Sequence, residues 1–365
     1  MLKRAFSGVD WFLLIPTVFL SIIGLVILFS INLKSQKLLV DFNVWSQVLF
    51  MGIGAIVAFA FARIDYQLWR TASGWFYLAG MALLSVVLFV DPVQGSSRWI
   101  SLGIFQFQPS EIMKLALIVM LARLFAKRHK TINRPWSLLL SVVYASLPMA
   151  LVFFQPDLGT AVVFGMIWLT MISMTEIKKY FLIALIASVA LAIPIAYQYL
   201  APYQQDRIDT FINPENDPQG AGYNVLQATI AIGSGGLLGN GLDAGSQSQL
   251  NFLPAQHTDF IFAVIAEKLG FIGAMLVIGA LLMIIIRAVL IGWRSSDQFG
   301  MQLAVGIATV MGFHSIVNIG MNLSLLPVTG IPLPLLSYGG THVIMGLASI
   351  GILHSISASQ KGLHF

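Results

Sequence analysis

Along the chain, apolar runs alternate with short polar segments, and ten of the runs are long enough to define elements. They cover roughly 12–31, 44–62, 74–90, 109–126, 137–154, 158–174, 180–198, 259–286, 302–322 and 341–358. About 20 mostly apolar residues carry a helix across the hydrocarbon core of a bilayer. The pattern therefore predicts an all-α polytopic membrane protein of ten transmembrane helices, one domain over residues 1–365. The narrowest break is Gln155-Pro156-Asp157, read as a tight hairpin between the fifth and sixth spans. The first run lacks a small-residue cleavage site and is followed directly by a second span, so it is expected to stay as a span.

The polar segments fix an orientation. With the N-terminus inside, the cytoplasmic segments hold Lys3, Arg4, Arg63, Arg70, Arg123, Lys127, Arg128, Lys130, Arg134, Lys178, Lys179, Arg287, Arg294 and Lys361, against Lys34, Lys37, Arg98 and Arg207 outside. Basic residues are retained on the cytoplasmic side during insertion, so both termini are expected in the cytoplasm. Asp41, Asp91, Asp157, Asp206, Asp209, Glu215, Asp217, Asp243 and Asp259 fall on the outer side. Acidic residues do little to set topology, which points to binding or chemistry at the outer face.

Composition narrows the class further. Of 365 residues, 58% are hydrophobic and 10% charged, and the mean hydropathy is +0.86. A soluble globular domain carries about a quarter charged residues, and a disordered chain has far less apolar surface. Cysteine is absent, which removes disulfides, zinc–thiolate sites, iron–sulfur clusters and thiol nucleophiles. The net charge of +5 follows the orientation and does not indicate a nucleic-acid partner.

Two outer segments stand out. The segment 199–258 is far longer than the rest, and its stretch Tyr223–Ile232 is apolar enough for a short interfacial helix. Leu323–Gly340 is uncharged and holds Pro327, Pro332 and Pro334. Apolar non-helical backbone of that kind is tolerated in a membrane against protein or a cavity, so a re-entrant, pocket-lining loop is expected.

Ionisable residues within spans are costly and mark either a site or an internal ion pair. Glu111 and Lys114 share one face of the fourth span, and Glu267 and Lys268 are adjacent in the eighth. For Glu111 and Glu267 both readings stand. Lys114 is expected to face an outer cavity and suit an anionic ligand. Asp259 lies 28 residues before Arg287, or about 42 Å of straight helix, which puts it at the outer headgroup level. It is either a functional carboxylate or, with Thr258 as rival, the N-cap of the eighth span. Trp99 beside Arg98 could stack on a sugar while the arginine grips phosphate. The glycine-rich run Ile232–Leu242 is read as close loop packing, not as a phosphate loop. The histidines show no metal-ligand spacing.

Five segments together resemble one family: GSSRWISLGIFQFQPSEIMKLALI (95–118), QPDLGTA (155–161), GYNVLQATIAIGSGGLLGNGL (222–242), FLPAQHTDFIFAVIAEKLGFIG (252–273) and NIGMNLSLLPVTGIPLPLLSYGG (318–340). They look like the SEDS proteins of shape, elongation, division and sporulation, and the tails and length resemble the RodA branch of the elongation machinery more than the FtsW branch of division. The resemblance implies a peptidoglycan glycosyltransferase that polymerises lipid II into β-1,4-linked strands at the outer face of the cytoplasmic (inner) membrane. It implies inversion at the donor sugar and release of undecaprenyl diphosphate. It also implies a class B penicillin-binding transpeptidase as partner, alongside other elongation-complex proteins. By position, Asp259 matches the family's catalytic aspartate, while Glu111, Lys114, Arg98, Trp99 and Asp157 match other sensitive positions. Lys268 departs from the family's acidic pair and receives no role. Lys114 and Arg98 are the expected diphosphate ligands. A divalent cation, Mg²⁺ or Mn²⁺, would serve the same leaving group, although the sequence shows no dedicated oxygen cage for one. A lipid II flippase and a non-catalytic scaffold are the competing readings; polar residues concentrated in the outer half favour surface chemistry over a transport path.

Overall fold

The computed structural model describes residues 9–32, 44–90, 98–102, 105–198, 202–212, 220–243, 245–250 and 252–360. Lys3, Arg4, Lys34, Lys37, Asp41, Asp91, Glu215, Asp217 and Lys361 lie outside the described residues. The chain is helical almost throughout. Each expected run coincides with a helix: α1 Trp11–Asn32, α2 Val44–Arg63, α3 Gln67–Val87, then a hairpin of β1 Ile100–Leu102 and β2 Phe105–Phe107, followed by α4 Pro109–Arg128, α5 Pro135–Phe154, α6 Leu158–Ser173 and α7 Lys179–Tyr197. Within the long segment follow α8 Pro202–Ile212, α9 Ala221–Ser234 and a single helical turn at Ser246–Gln249, and then α10 Ile261–Trp293, α11 Gln298–Asn322 and α12 Gly340–Gln360. Six of these (α1, α2, α5, α10, α11 and α12) are long and apolar enough to cross a membrane.

The centre of the bundle is α4 and α11, which bury residues around most of their circumference. Helices α1, α2, α5 and α10 instead present rows of exposed Phe, Ile, Leu and Trp, the surface expected of helices whose outer solvent is lipid. Helix α12 packs along α2, α10 along α11 and α1, and α4 against α3, α11 and α6. The start of the bundle is tied to its far end by an ion pair. Asp10, buried ahead of α1, accepts from Arg287 Nε and Nη2 at 2.8–3.1 Å and from Ser357 Oγ at 2.8 Å.

The structure adds what periodicity missed. The hairpin pairs Ile100 with Phe107 in antiparallel register, and α8 is too polar to have registered as an apolar run. Tyr223–Ile232 is helical as expected, but as part of α9 it packs against α10. Helix α10 is not straight: Gly270, at φ 68°, breaks it. The released peptide groups pair with the glycine-rich loop, Phe271 N–H donating to Gly236 O at 2.9 Å and Gly241 N–H to Lys268 O at 3.0 Å. A Cβ at Gly270 would overlap the backbone of Leu237, Leu238 and Gly239, so only glycine allows this approach. Ile232–Leu242 is therefore a packing loop. The depth counted from Arg287 along a straight helix does not apply, because the helix bends part-way.

Glu267 and Lys268 secure the same loop. The Glu267 carboxylate accepts N–H bonds from Gln247 and Ser248 at 2.9 and 3.1 Å, and Lys268 Nζ donates to Leu242 O at 2.8 Å. These buried charges hold the loop ahead of α10, at Leu242, Gln247 and Ser248, onto that helix.

Candidate functional site

Asp259 lies in a turn just ahead of α10, where the N–H groups of Thr258, Asp259 and Phe260 all point at Ala255 O, at 3.1–3.3 Å. The helix begins at Ile261 with Phe260 at the N-cap position and no side-chain cap. Neither Asp259 nor Thr258 caps it, which leaves the Asp259 carboxylate available for other work. Its backbone carbonyl accepts from the side-chain amides of Asn318 and Asn322, both at 3.0 Å. Its carboxylate reaches the segment after α11, with Oδ2 3.6 Å from where a Cβ on Gly330 would stand. Gly330 takes φ 73°, a conformation that favours glycine, and so backbone rather than side chain meets the carboxylate.

Gly330 sits between two residues that line a cleft of about 230 Å³. Its walls include Arg98, Asp157, Gly159, Arg207, Thr329 and Ile331. The expected pocket-lining role of Leu323–Gly340 is thus met by Pro327, Val328, Thr329 and Ile331. Arg98 donates to Gln155 O at 3.3 Å and to Pro156 O, and its Nη1 lies 3.9 Å from Asp157 Oδ1. Asp157 caps α6, accepting from Thr160 N–H at 3.1 Å and Thr160 Oγ1 at 2.9 Å, so it shapes the cleft wall and orients the arginine together. Burial pushes the Asp259 carboxyl above its ordinary range, against the opposing pull of Arg207, the Thr258 hydroxyl and Arg98. The cleft therefore combines two cations with a carboxylate of raised basicity at its edge.

Glu111 and Lys114 occupy a different place. Both are buried on α4 and pair at 2.8 Å. Lys114 Nζ also meets His314 Nε2 at 3.1 Å, and His342 Nδ1 meets Glu111 Oε2 at 3.3 Å. The two imidazoles stack, centroids 5.5 Å apart. This cluster lines a second, small cavity of about 30 Å³, lined also by Met311, Met345 and Ser349. Lys114 was expected to face an outer cavity; its ammonium is buried on the wall of this small cavity, paired with Glu111 and His314. An ammonium at that depth requires a carboxylate and further acceptors, and the bundle supplies both. Trp99 is half-buried next to Arg98 and is not part of the cleft lining.

Sequence reasoning did not single out Arg207, His314, His342, Asn318 or Asn322 as site residues. One signal was present: His314, Asn318 and Asn322 are polar at every fourth position of an apolar span, the spacing of one helix face. His342 lies more than 200 residues from its partner Glu111, and no local pattern could have joined them. Among the described residues no group of three or more His, Asp or Glu side chains has the arrangement of a metal site.

A family model described as "cell cycle protein", which groups FtsW, RodA and SpoVE, matches residues 11–362. The chain belongs to this SEDS family. The peptidoglycan glycosyltransferase MrdB of Escherichia coli (strain K12) is 38% identical over 315 residues, covering 86% of this chain and 85% of that protein. Stage V sporulation protein E of Bacillus subtilis (strain 168) is 36% identical over 363 residues, covering 96% and 98%. Among solved structures, a chain of a peptidoglycan synthase complex described as coordinating polymerization and crosslinking superposes with a TM-score of 0.82 at 28% identity, over 96% of this chain and 98% of that one. The rod shape determining protein RodA of Thermus thermophilus gives 0.72 at 25% identity, over 98% and 99%. The bundle described above is thus the SEDS fold, and the cleft beside Asp259 and the inner cluster on α4 are features within it.

Proposed function

We propose that this protein is a peptidoglycan glycosyltransferase that joins lipid II units into β-1,4-linked glycan strands at the outer face of the cytoplasmic membrane. In this reading the ten long helices span the membrane with both termini inside, and the protein serves cell elongation with a class B penicillin-binding transpeptidase. The observation that carries the reaction is the Asp259 carboxylate, its basicity raised by burial, at the edge of a cleft that holds Arg98 and Arg207. The names of the curated relatives and the crosslinking complex support the substrate class and the partner.

The donor sugar is α-linked to diphosphate and the product is β-linked, so the acceptor hydroxyl attacks C1 from the face opposite the leaving group. The acceptor O–C1 bond forms as the C1–O–phosphate bond breaks. Asp259 takes the hydroxyl proton, and the electron pair leaves on undecaprenyl diphosphate. Diphosphate is a good leaving group, so no second carboxylic acid is needed, unlike glycoside hydrolysis. Arg98 and Arg207 stabilise its growing charge. Asp157 keeps Arg98 directed at the cleft. Glu111 and Lys114 act from the second, small cavity.

The experiment uses purified protein, labelled lipid II and no other synthase. General-base assistance is worth about 10²–10⁴ in rate, so Asp259→Asn should lose strand formation to that degree while still binding lipid II. In the wild type, activity rises with pH through the Asp259 pKa, and that limb lies above the usual carboxylate range because the pKa is raised. The same shift has the opposite sign for stability: the protonated group is favoured in the folded state, and that contribution is lost as pH rises through the raised pKa. Asp259→Asn should therefore keep or raise the melting temperature at neutral pH. Normal polymerisation by Asp259→Asn would refute the assignment. Absence of strands from the wild type under all conditions would favour the flippase or scaffold readings.

A further inference from the structure

One face of α11 carries three buried polar residues in line: His314, Asn318 and Asn322. All three grip backbone at the site. Asn318 Nδ2 donates both to Asp259 O, at 3.0 Å, and to Ile331 O, at 2.8 Å. Asn322 Nδ2 donates to Asp259 O at 3.0 Å, and its Oδ1 accepts from Ala263 N–H at 3.0 Å. His314 completes the row, with Nδ1 3.2 Å from Pro332 O and Nε2 3.1 Å from Lys114 Nζ. The row pins Asp259 and the segment 329–332, which lies against its carboxylate, to a single helix.

The protonation of His314 follows from its partners. A lysine ammonium can only donate, so Nε2 must accept; a backbone carbonyl can only accept, so Nδ1 must carry the hydrogen. Both contacts are satisfied by one neutral tautomer. Without the ammonium, the Pro332 carbonyl still selects Nδ1–H, but the ring loses the Nε2 contact that fixes its orientation from the α4 side.

We propose that His314 is a positioning residue for the reaction: it holds the 329–332 segment in register against Asp259, with its ring anchored from the other side by Lys114. Lys114 then affects the reaction through this imidazole and the backbone beyond it, without contact with substrate. The catalytic consequence rests on the reading of Asp259 as the base, whereas the positioning itself does not.

The chain has no cysteine, so Thr329→Cys places one thiol on the cleft wall as a reporter that needs no lipid II. Its labelling by a membrane-impermeant maleimide is measured in purified, intact protein, with melting temperature as the folding control. His314→Ala should raise the labelling rate about tenfold, the worth of one buried hydrogen bond. His314→Asn, which can return a donor to Pro332 O, should restore most of the protection. Lys114→Met should also raise labelling, and combining it with His314→Ala should add little, since both act through one element. If His314→Ala does not fold, His314→Met replaces it, since methionine fills the space but has no donor for Pro332 O. In polymerisation without the reporter, His314→Ala should lower kcat with KM unchanged. Unchanged labelling in the folded His314 and Lys114 variants, or effects of the two that multiply, would overturn the proposal. If labelling responds while Asp259→Asn polymerises normally, the positioning stands and the general-base reading falls.

Discussion

Removing Lys114 tests the inner cluster most directly. Lys114→Met keeps the length and apolar stem of the side chain but leaves the Glu111 carboxylate, with 6% of its side chain exposed, facing only His342. Breaking a buried ion pair from one side typically costs about 3–5 kcal/mol, because the surviving charge is desolvated without compensation. The remaining His342 bond to a charged group recovers part of that, so about 3 kcal/mol is expected. Glu111→Gln should cost a similar amount, with Lys114 left to His314 alone. The double variant Glu111→Gln/Lys114→Met strands no charge and should cost about 1 kcal/mol, so the cycle gives a coupling of several kcal/mol. The assay is the folded fraction of purified protein along a denaturing-detergent titration, with wild type, both single variants and the double variant run together. Single variants within about 0.5 kcal/mol of wild type, or a double variant equal to the sum of the singles, would refute the description of this pair as a buried, mutually dependent unit.

Two further substitutions probe the frame around the site. For Asp10, burial acts to raise the pKa, but hydrogen bonds from Arg287 and Ser357, with the Arg287 charge and the nearby His354, outweigh it and hold the carboxyl below its ordinary value. Its stabilisation is therefore fully present above the unfolded-state pKa of about 3.9 and is lost as pH falls through the lowered folded value. Asp10→Asn should cost about 3 kcal/mol at neutral pH and flatten the acid limb of the stability profile; a wild-type-like profile would refute the clasp. Gly270→Ala forces a left-handed conformation on an L side chain and drives its Cβ into the 237–239 backbone. A loss of at least about 2 kcal/mol is expected, with faster proteolysis of the 235–250 loop, and an unperturbed loop would show that the close approach is not required.

The sequence by itself determined the helices, because each apolar run must satisfy its own backbone hydrogen bonds wherever it lies in a bilayer, and that requirement is local. It also marked the break at Gln155-Pro156-Asp157, the coil at Leu323–Gly340 and, through five motif segments, the family and the residue Asp259. Which side chains share a site was decided by packing. Sequence showed Lys114 and Glu111 on one helix face but not the further partner that encloses the ammonium. In the fold it meets Glu111 one turn away and His314 on a helix 200 residues later. The bend at Gly270 was equally hidden, since a lone glycine in a helical run is compatible with a straight helix until another backbone approaches it. Arg207 reached the cleft on a helix too polar to be noticed as an element. The residues that line the cleft beside Asp259 come from α6, α8, the turn before β1 and the segment after α11, and a hydrogen bond or ion pair between elements so far apart in sequence depends on the angles at which the helices pack, a property of the assembled bundle.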